Sequence, residues 1–424
     1  MTKTVAFNTL GCRLNLAETG EITQKFTEQG YEVVEFGEPA DVSFLNTCTV
    51  TDNADSKCRN LIRKAQRVSP EGKIIVTGCY AQMESEAISQ IKGVDLILGN
   101  SEKYNVLDYL ESEDELQIKI DQTDEFWGAS TTPSDSHTRA FLKIQDGCNY
   151  ICSFCIIPFA RGRSKTISIA EAVYKAKEIV ANGFKEIVLT GVNIGEYEST
   201  SGEKLADLVK EILEIEGLER LRLSSVEPNT ITNELLEVLA SSPKTCEHFH
   251  IPLQSGDNGI LKEMRRKYDS EFYSKTIANI KSFFPNAGIG ADVIVGYPGE
   301  TEEQFLNTVK FLEENPITHF HVFPFSKRKG TTAALNKEQL QTVVKSKRVK
   351  ILRELGNKKL NEFAKSKIGQ ITKVLFEDTQ DGFWTGYSDE YLRVFVKSNS
   401  NLKNQIFSVR LIDYKNEKLI GELN

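Results

Sequence analysis

The sequence predicts a three-domain α/β protein: a doubly wound parallel-sheet domain, a partial (β/α)6 TIM-like barrel and a small C-terminal antiparallel β-barrel of OB-like size. Three observations predict this fold class. Short apolar runs alternate with amphipathic stretches over roughly the first 120 residues, as in parallel α/β domains. The same alternation returns after residue 139, and only short alternating runs follow Gly369. A chain of 424 residues is also too long for one ordinary core.

The N-terminal domain is predicted to hold parallel strands joined by helices. The strand candidates are Thr4–Leu10, Tyr31–Phe36, Asp41–Asn46, Lys73–Gly78 and Asp95–Gly99, and the amphipathic stretches include Asn15–Gln29 and Asp52–Val68. The acidic, Ser/Thr-rich stretch from Glu111 to His137 is predicted to be a linker, with one further strand at Leu116–Ile120.

The central domain is predicted to contain six β/α units, short of the eight of a full TIM barrel. The strand candidates are Ala140–Gln145, Glu186–Thr190, Arg220–Ser224, His248–Pro252, Gly288–Val295 and Thr318–Phe323. The helical candidates that follow them are Ile169–Asn182, Leu205–Glu214, Asn233–Ala240, Glu271–Phe284, Glu302–Glu314 and a basic segment from Lys337 to Lys367.

The C-terminal segment changes to short alternating runs, which predict a small antiparallel barrel. These runs are Ile371–Phe376, Phe383–Gly386, Leu392–Val396, Gln405–Leu411 and Leu419–Gly421. The predicted domains are therefore residues 1–125, 135–365 and 366–424.

Charge is distributed unevenly along a chain whose net charge is −8. Between Lys327 and Lys373 there are 14 Lys plus Arg against 3 Glu, so an acidic average conceals a basic segment. This segment fits either a solvated helix surface or a face that binds nucleic acid.

The cysteines are better explained by metal binding or catalysis than by disulfides. No apolar run approaches the roughly 20 residues that span a bilayer, and the chain begins with a strand-like stretch rather than a signal-peptide pattern. We therefore expect a cytoplasmic protein without membrane association. Disulfides are rare in that compartment, so the eight cysteines are candidate ligands or catalytic groups.

Cys148, Cys152 and Cys155 form a C-x₃-C-x₂-C run directly after the first predicted barrel strand. Active sites of barrel enzymes lie at that end of the strands. Thiolates suit iron–sulfur clusters or zinc, but no fourth ligand follows at the short spacing typical of a structural zinc site. Three ligands on a four-iron cluster leave one iron open for an exogenous molecule, while zinc or buried thiols remain the alternative.

This run resembles the defining motif of the radical S-adenosylmethionine (SAM) superfamily. The resemblance implies that SAM chelates the open iron and is cleaved on reduction to a 5′-deoxyadenosyl radical. In that case the cofactors perform the chemistry, and the protein supplies ligands, orientation and a dry barrel.

Cys12, Cys48 and Cys79 each follow a predicted strand of the N-terminal domain. The carboxyl ends of parallel strands share one edge of the sheet, so three thiols are expected to converge there. The alternative is that they are small buried core residues. Cys58, within a predicted helix, and Cys246, before a barrel strand, have no matching partners and are assigned to packing.

The segments around these cysteines resemble the three cluster motifs of the methylthiotransferase family. They are Gly11–Asn15, Asn46–Thr51 and Gly78–Gln82. The resemblance covers the whole chain and implies an auxiliary 4Fe-4S cluster on Cys12, Cys48 and Cys79, a radical SAM barrel and a C-terminal TRAM module that binds RNA. It also implies two SAM molecules, one to methylate the cluster-bound sulfur and one to activate the acceptor carbon.

Three acceptors are known in that family: isopentenyladenosine in tRNA, threonylcarbamoyladenosine in tRNA, and an aspartate of a ribosomal protein. The segments Asn46–Asp55 and Cys155–Arg163 resemble the threonylcarbamoyladenosine branch, which acts on C2 of the base beside the anticodon. Arg13 and Cys58 depart from the family pattern without touching a cluster ligand. The resemblance further implies a flavodoxin-type or ferredoxin-type electron donor and a sulfur donor. The alternatives are the isopentenyladenosine branch and a non-catalytic two-cluster protein that binds RNA or carries electrons.

The remaining candidate site residues are assigned by resemblance and by their position at barrel strand ends. The expected SAM and cluster contacts are Phe154, Gly191, Asn193, Ser224, Glu227, Gln254 and Arg266, although each also fits a turn or surface role. The expected tRNA contacts are Arg161, Lys327 and Arg328.

Two groups of ring-bearing residues have open interpretations. Phe383, Trp384, Tyr387 and Tyr391, with Arg393, fit either RNA stacking or the core of the small barrel. The pairs His248/His250 and His319/His321 fit interior barrel packing better than a zinc site, because alternate strand residues share one face.

Overall fold

The computed structural model of the protein describes residues 2–110, 117–120, 126, 128–131 and 138–424. Most of the predicted linker between Glu111 and His137 lies outside these residues, as do the predicted domain boundaries at 125 and 135 and Leu116 of the predicted linker strand. Among the described residues, no helix is long and apolar enough to cross a membrane.

The N-terminal domain is built on a parallel sheet whose strand order is β2-β1-β3-β4-β5-β6. The strands are β1 (Thr4–Thr9), β2 (Glu32–Val34), β3 (Val42–Thr47), β4 (Lys73–Gly78), β5 (Leu96–Leu98) and β6 (Gln117–Lys119). The helices are α1 (Arg13–Glu28), α2 (Asp52–Val68), α3 (Cys79–Ser89) and α4 (Val106–Leu110). The sequence analysis did not predict α3, which follows β4 without a loop.

This sheet carries apolar layers on both faces, which confirms the doubly wound fold class. Phe44 packs with Ala17 and Phe26 of α1, whereas its neighbour Leu45 packs with Ile62 of α2 on the other side. Successive strand residues point to opposite faces, so a run that is apolar at every position is covered on both.

The central domain is an arc of mainly parallel strands open at one side, as the partial-barrel prediction requires. Its strands are β7 (Ala129–Ser130), β8 (Ala140–Lys143), β9 (Gln145–Asp146), β10 (Lys165–Thr166), β11 (Glu186–Thr190), β12 (Arg220–Leu223), β13 (His248–His250), β14 (Gly288–Val295) and β15 (His319–Pro324). Of these, β7 is antiparallel at one edge, and β9 and β10 pair as a separate antiparallel ladder. Its helices are α5 (Ile157–Arg161), α6 (Ile169–Ala181), α7 (Leu205–Leu213), α8 (Asn233–Ala240), α9 (Asn258–Glu263), α10 (Ser270–Phe283), α11 (Glu302–Glu314) and α12 (Thr332–Leu335).

Two ladders, β12-β11-β8-β7 and β13-β14-β15, form the arc. Single parallel bridges from Leu221 to Thr245 and from Ser225 to His250 join the ladders. The outer face of the strands packs on the helices in the largest apolar cluster of the protein. Phe141 and Val188, on the opposite face near the open side, pack instead with the core of the N-terminal domain.

A single helix, α13 (Thr342–Ser366), leads from the arc to the C-terminal barrel. That barrel is closed in the order β16-β17-β18-β20-β19, within the continuously described stretch 138–424. Its strands are β16 (Ile371–Gln380), β17 (Phe383–Ser388), β18 (Arg393–Val396), β19 (Ile406–Lys415) and β20 (Lys418–Leu423). Closure leaves no free sheet edge, which suits a domain of this small size.

Candidate functional site

The N-terminal cysteine set, Cys12, Cys48 and Cys79, lies at one edge of the parallel sheet. Cys12 follows β1, Cys48 follows β3 and Cys79 begins α3 directly after β4. β1 and β3 are adjacent, and the strand order reverses direction between them. In open α/β sheets the crevice at such a switch point is where ligands bind.

Gly11 allows the first two of these cysteines to approach each other. Its φ is +118°, and a Cβ there would lie 2.9 Å from Cys48 Cβ and 2.9 Å from Asn15 Nδ2. Asn15 Nδ2 donates to the carbonyl oxygens of Leu10 and Thr47 at 2.8 and 3.1 Å, which ties the ends of β1 and β3 together. The crevice therefore has room for the cysteine sulfurs but not for a side chain at position 11.

The electrostatics of the N-terminal set fit a bound metal cluster. Burial raises the pKa of Cys48 to about 12, and negative charge on Cys79 and Cys12 adds to the effect. Burial also raises the pKa of Cys12, because protein atoms surround this residue even though part of its surface is exposed at the crevice. Arg161 opposes the rise and Cys79 adds to it. With these shifts Cys12 and Cys48 are protonated at neutral pH, so three adjacent thiolates can form there only beside a metal that replaces the protons, and thiolates favour iron–sulfur clusters.

A buried charge network lies beneath the N-terminal set. Glu18 of α1 contacts Lys103 at 2.5 Å, Lys143 at 2.9 Å and Arg161 at 2.9 Å. Asp146 contacts Lys143 at 2.7 Å and Arg161 at 3.0 Å. Burial opposes ionisation of Glu18, but the three cations outweigh it and hold the pKa of Glu18 well below its usual range. The network joins the N-terminal domain to the barrel.

The environment of Arg161 therefore differs from that expected of a tRNA contact. It is buried, and its Nε donates to Cys79 Sγ at 3.3 Å. Its other nitrogens donate to Glu18, Asp146 and Asn15. A guanidinium committed to these partners is poorly placed to meet a phosphate at the surface, and its contact with tRNA stays an untested prediction.

The loop cysteine set, Cys148, Cys152 and Cys155, lies between β9 and α5. Burial raises the pKa of Cys148 and of Cys155 to about 12, and the other two cysteines of the set add to the rise at Cys155. The backbone N–H of Tyr150 donates to Cys148 Sγ at 3.3 Å, and Arg266 Nη1 donates to Cys152 Sγ at 3.1 Å. The loop thus brings a second trio of thiols together with stabilising donors already in place.

Unpaired polar atoms surround the loop set at the ends of the neighbouring strands. Asn193 Oδ1 and Ser224 Oγ, after β11 and β12, are buried and have no hydrogen-bond partner among the described residues. Gly191 lies where a Cβ would come within 2.7 Å of Gln145 Oε1. Buried polar groups normally find partners, so these atoms fit a polar ligand such as SAM.

Arg266 and Glu227 form an ion pair beside the loop set. Arg266 Nε also donates to Tyr268 Oη at 3.1 Å. Both Arg266 and Glu227 were expected to contact SAM. In the structure they pair with each other, and Arg266 also donates to Cys152. Contact of either residue with SAM stays a prediction.

A cavity of ≈ 320 Å³ is lined by Cys155 of the loop set and by residues that follow Cys48 in the chain. One wall comes from Val50 and Thr51, just after Cys48, and another comes from Cys155. The lining residues are Val50, Thr51, Phe154, Cys155, Ile156, Ile157, Gln254, Asp292, Ile294, Phe323, Pro324, Phe325, Ser326 and Arg328. A mostly apolar pocket of this volume with a few polar groups has the size and character of a small-ligand site.

Asp292 is the polar residue of this cavity that sequence reasoning missed. Its two carboxylate oxygens contact His250 Nε2 at 3.1 Å and His321 Nδ1 at 3.2 Å. Alternation along β14 places it on the inner face with Gly288 and Gly290, and that period-two pattern was the available signal. The carboxylate is thereby fixed at the cavity wall.

The other histidine pair lies deeper in the arc. His248 Nε2 and His319 Nε2 are 3.0 Å apart, and the rings are stacked with centroids 5.0 Å apart. Burial lowers the pKa of His319 to about 3, so its ring is neutral at physiological pH. This contact favours interior packing for His248 and His319. His250 and His321 instead lie with Asp292 in a group whose possible ligand atoms are all within 4.8 Å of one another, and His321 is exposed, so interior packing does not describe that pair.

Arg328 and Lys327, both expected to contact tRNA, have different environments. Arg328 is buried at the cavity and donates to Thr49 O at 3.1 Å and Asp55 Oδ2 at 2.7 Å. It therefore ties the barrel to the segment after Cys48, and because it also lines the cavity, its contact with the tRNA substrate stays a prediction. Lys327 is exposed beside the cavity mouth, so its predicted role remains open.

Tyr391 joins the three domains and does not form an exposed RNA-stacking platform. Its ring stacks on His248 at 4.8 Å and on Tyr387 at 4.7 Å. Its hydroxyl accepts from Arg13 at 3.2 Å and from Arg139 at 3.1 Å. These contacts favour the core interpretation over RNA stacking for Tyr387 and Tyr391.

The two other aromatic candidates lie in the small barrel itself. Trp384 packs on the core of that barrel. The half-buried Phe383 has the ammonium groups of Lys397 and Lys418 at 5.2 and 5.8 Å from its ring centre. Phe383 thus combines partial exposure with neighbouring lysines on the small barrel.

Cys58 and Cys246 lie outside both cysteine sets. Cys58 Sγ is 3.4 Å from the carbonyl oxygen of Cys48, to which it can donate. Arg220 Nε donates to Cys246 Sγ at 3.3 Å. Both are buried.

Two sequence profiles match the chain. Residues 4–99 match the one described as uncharacterized protein family UPF0004, and residues 142–312 match the radical SAM superfamily. The two matched ranges contain the N-terminal and the loop cysteine sets, respectively.

Curated relatives match over nearly the full length. The threonylcarbamoyladenosine tRNA methylthiotransferase MtaB of Bacillus subtilis is 41% identical, covering 96% of this chain and 94% of that protein. The protein of the same name from Aquifex aeolicus is 41% identical over 88% of this chain and 92% of its own. A tRNA-2-methylthio-N(6)-dimethylallyladenosine synthase of Fusobacterium nucleatum is 35% identical over 99% and 100%.

Among solved structures, the radical S-adenosylmethionine methyltransferase TsrM of Kitasatospora setae is similar in fold. The TM-score is 0.56 at 16% identity, covering 79% of this chain and 77% of that one.

Proposed function

The chain belongs to the MtaB-type branch of the radical SAM methylthiotransferase family, and we propose that it adds a methylthio group to C2 of N6-threonylcarbamoyladenosine in tRNA. It is an enzyme that uses SAM and iron–sulfur clusters. The observation that carries the proposal is the single cavity lined both by Cys155 and by the residues that follow Cys48.

Each cysteine set is proposed to hold one 4Fe-4S cluster, the auxiliary cluster on the N-terminal set and the SAM-binding cluster on the loop set. Bound there, the clusters and SAM would supply an open iron for SAM, a carbon-centred oxidant and the sulfur to be transferred. The proposed domains are 1–125 around the auxiliary cluster, 135–365 as the radical SAM barrel and 366–424 as the TRAM module.

The chain's own residues prepare the cavity for this reaction. Asn193 and Ser224 offer unpaired polar atoms for SAM at one end. The apolar walls, including Phe154 and Ile294, exclude water and protect a reactive intermediate from side reactions. Gln254 and Asp292 supply the polar groups at the wall that can meet the edge of a base. They would orient the base while the two cysteine sets flank it.

The tRNA is proposed to approach across the mouth of the arc and the C-terminal barrel. Lys327 is exposed at the mouth, and Lys397 and Lys418 flank Phe383 on the small barrel. Such lysines neutralise phosphates and position the anticodon arm without reading sequence. A flavodoxin-type or ferredoxin-type electron donor, an external sulfur donor and a cytoplasmic location, where tRNA resides, complete the proposal.

Mass spectrometry of nucleosides from bulk tRNA tests the substrate. Cells lacking this protein should lose 2-methylthio-N6-threonylcarbamoyladenosine, and the wild-type chain should restore it. If that nucleoside persists while the isopentenyl derivative disappears, the enzyme class stands and the branch is wrong. If neither changes and reduction of the purified protein with SAM yields no 5′-deoxyadenosine, the non-catalytic alternative is favoured.

A further inference from the structure

Arg161 lies between Cys79 of the N-terminal set and Asp146, which comes two residues before Cys148 of the loop set. Its Nε donates to Cys79 Sγ at 3.3 Å, while its Nη1 donates to both carboxylate oxygens of Asp146 at 3.0 and 3.1 Å. Asp146 Oδ1 also accepts from the backbone N–H of Gly147 at 2.8 Å, and Cys148 is the next residue. One guanidinium thus links a sulfur of the N-terminal set to the start of the loop set.

The charges around this link leave an uncompensated positive charge next to Cys79. Among the residues that the structure describes, the carboxylates paired with Lys103, Lys143 and Arg161 are those of Glu18 and Asp146, so three cations meet two anions in a buried network. Of the three cations, Arg161 is the one for which a hydrogen bond to sulfur is seen. The dielectric constant inside a protein is low, so such a buried charge interacts strongly with neighbouring charged groups.

A hydrogen bond and a positive charge at a ligand sulfur stabilise the more negative, reduced form of an iron–sulfur cluster. Cluster reduction potentials are set by net charge, hydrogen bonds to the sulfurs and solvent exposure. Arg161 supplies the first two at Cys79 and, being buried, is shielded from screening by solvent.

We propose that Arg161 is a positioning residue that raises the reduction potential of the auxiliary cluster and fixes that cluster relative to the SAM-binding loop. This inference rests on the proposed function, because it requires a cluster on the N-terminal set. It assigns to Arg161 a role different from tRNA contact.

The test is a redox titration of the full-length, anaerobically reconstituted protein, followed by electron paramagnetic resonance. Adding SAM identifies the loop-set cluster as the one whose signal changes, so the SAM-insensitive signal reports the auxiliary cluster. The variants are Arg161→Gln, which removes the charge, and Asp146→Asn, which removes an opposing charge. Arg163→Gln is the matched control, because Arg163 is an exposed arginine two residues away.

In Arg161→Gln the ratio of reduced to oxidised auxiliary cluster at fixed potential should fall about tenfold, a shift of about 59 mV to more negative potential for one electron. Asp146→Asn should shift the same cluster in the opposite direction, and Arg163→Gln should leave it unchanged. If the Arg161→Gln variant loses the auxiliary cluster, the direction in which Asp146→Asn shifts the reduction potential of that cluster decides whether the inference holds.

An auxiliary cluster that keeps its wild-type potential in Arg161→Gln, or an Asp146→Asn variant without a positive shift, overturns the inference. Absence of any SAM-insensitive cluster in the wild-type protein is a different result, because it overturns the proposed function itself.

Discussion

Substitution of Gly11 by alanine should empty the auxiliary site while leaving the rest of the protein folded. The added Cβ would lie 2.9 Å from Cys48 Cβ and 3.3 Å from Cys48 Sγ. Two carbon atoms pack at about 3.5–4.0 Å, so Cys48 or the β1 end must move by close to 1 Å. The φ of +118° adds a backbone penalty of about 1–2 kcal/mol for any residue with a Cβ.

A displacement of that size exceeds what metal ligation tolerates. Metal–ligand distances hold to within about 0.2 Å, so Cys48 Sγ should no longer reach a cluster shared with Cys12 and Cys79. Iron should fall from about eight to about four atoms per chain, as expected when one of two four-iron clusters is lost. Methylthiolation should be lost as well, because the sulfur is proposed to leave from that site.

The assay is iron and sulfide per chain after anaerobic reconstitution, combined with reductive SAM cleavage to 5′-deoxyadenosine. The cleavage should survive, because the loop set is unchanged. Gly30→Ala is the matched control: Gly30 has a φ of +81° in the same domain, and a Cβ there meets nothing within 4 Å. Full iron content in Gly11→Ala, or equal losses in both variants, would refute the reasoning.

Three further predictions follow from the same geometry. Replacing all three cysteines of the N-terminal set by alanine should halve the iron yet preserve reductive SAM cleavage; unchanged iron would contradict the assignment of this set. Asp292→Asn should lower the ratio of methylthiolated tRNA to 5′-deoxyadenosine about tenfold, since an amide cannot accept from both His250 and His321; an unaltered ratio would remove Asp292 from the substrate wall. Tyr391→Phe should cost about 1–3 kcal/mol in chemical denaturation, because Arg13 and Arg139 lose their shared acceptor. Tyr174→Phe, at an exposed tyrosine, should leave the denaturation midpoint unmoved, and equal effects would assign the loss to something other than that acceptor.

Three strands that are mainly apolar were predicted to the residue. Lys73–Gly78, Glu186–Thr190 and Gly288–Val295 are observed with those bounds. A strand buried on both faces is apolar at every position, and glycine or a polar turn marks its end, so the pattern is local. Short strands such as Glu32–Val34 were predicted too long, because a helix-to-strand turn leaves a weaker signal.

The convergence of Cys12, Cys48 and Cys79 was also within reach of the sequence. Each cysteine follows a strand, and the rule that parallel strands end at one edge supplies the rest. Sequence alone did not give the order of the strands. The structure places β1 beside β3, which is why Cys12 and Cys48 share a switch point.

The environments of Arg161, Asp292 and Tyr391 depend on tertiary structure alone. The partners of Arg161 include Glu18, 143 residues away in the chain, and those of Tyr391 include Arg13, 378 residues away. From sequence alone, an arginine or tyrosine is expected to be a surface or stacking residue. Whether a charge can be buried depends on counter-charges from distant parts of the chain, which the local sequence does not show. The sequence thus determined which elements form and which side chains can ligate metal, because both depend on local periodicity and residue type. Which charged groups lie between the two cysteine sets depends on how three domains pack, and that packing is set by contacts far apart in the chain.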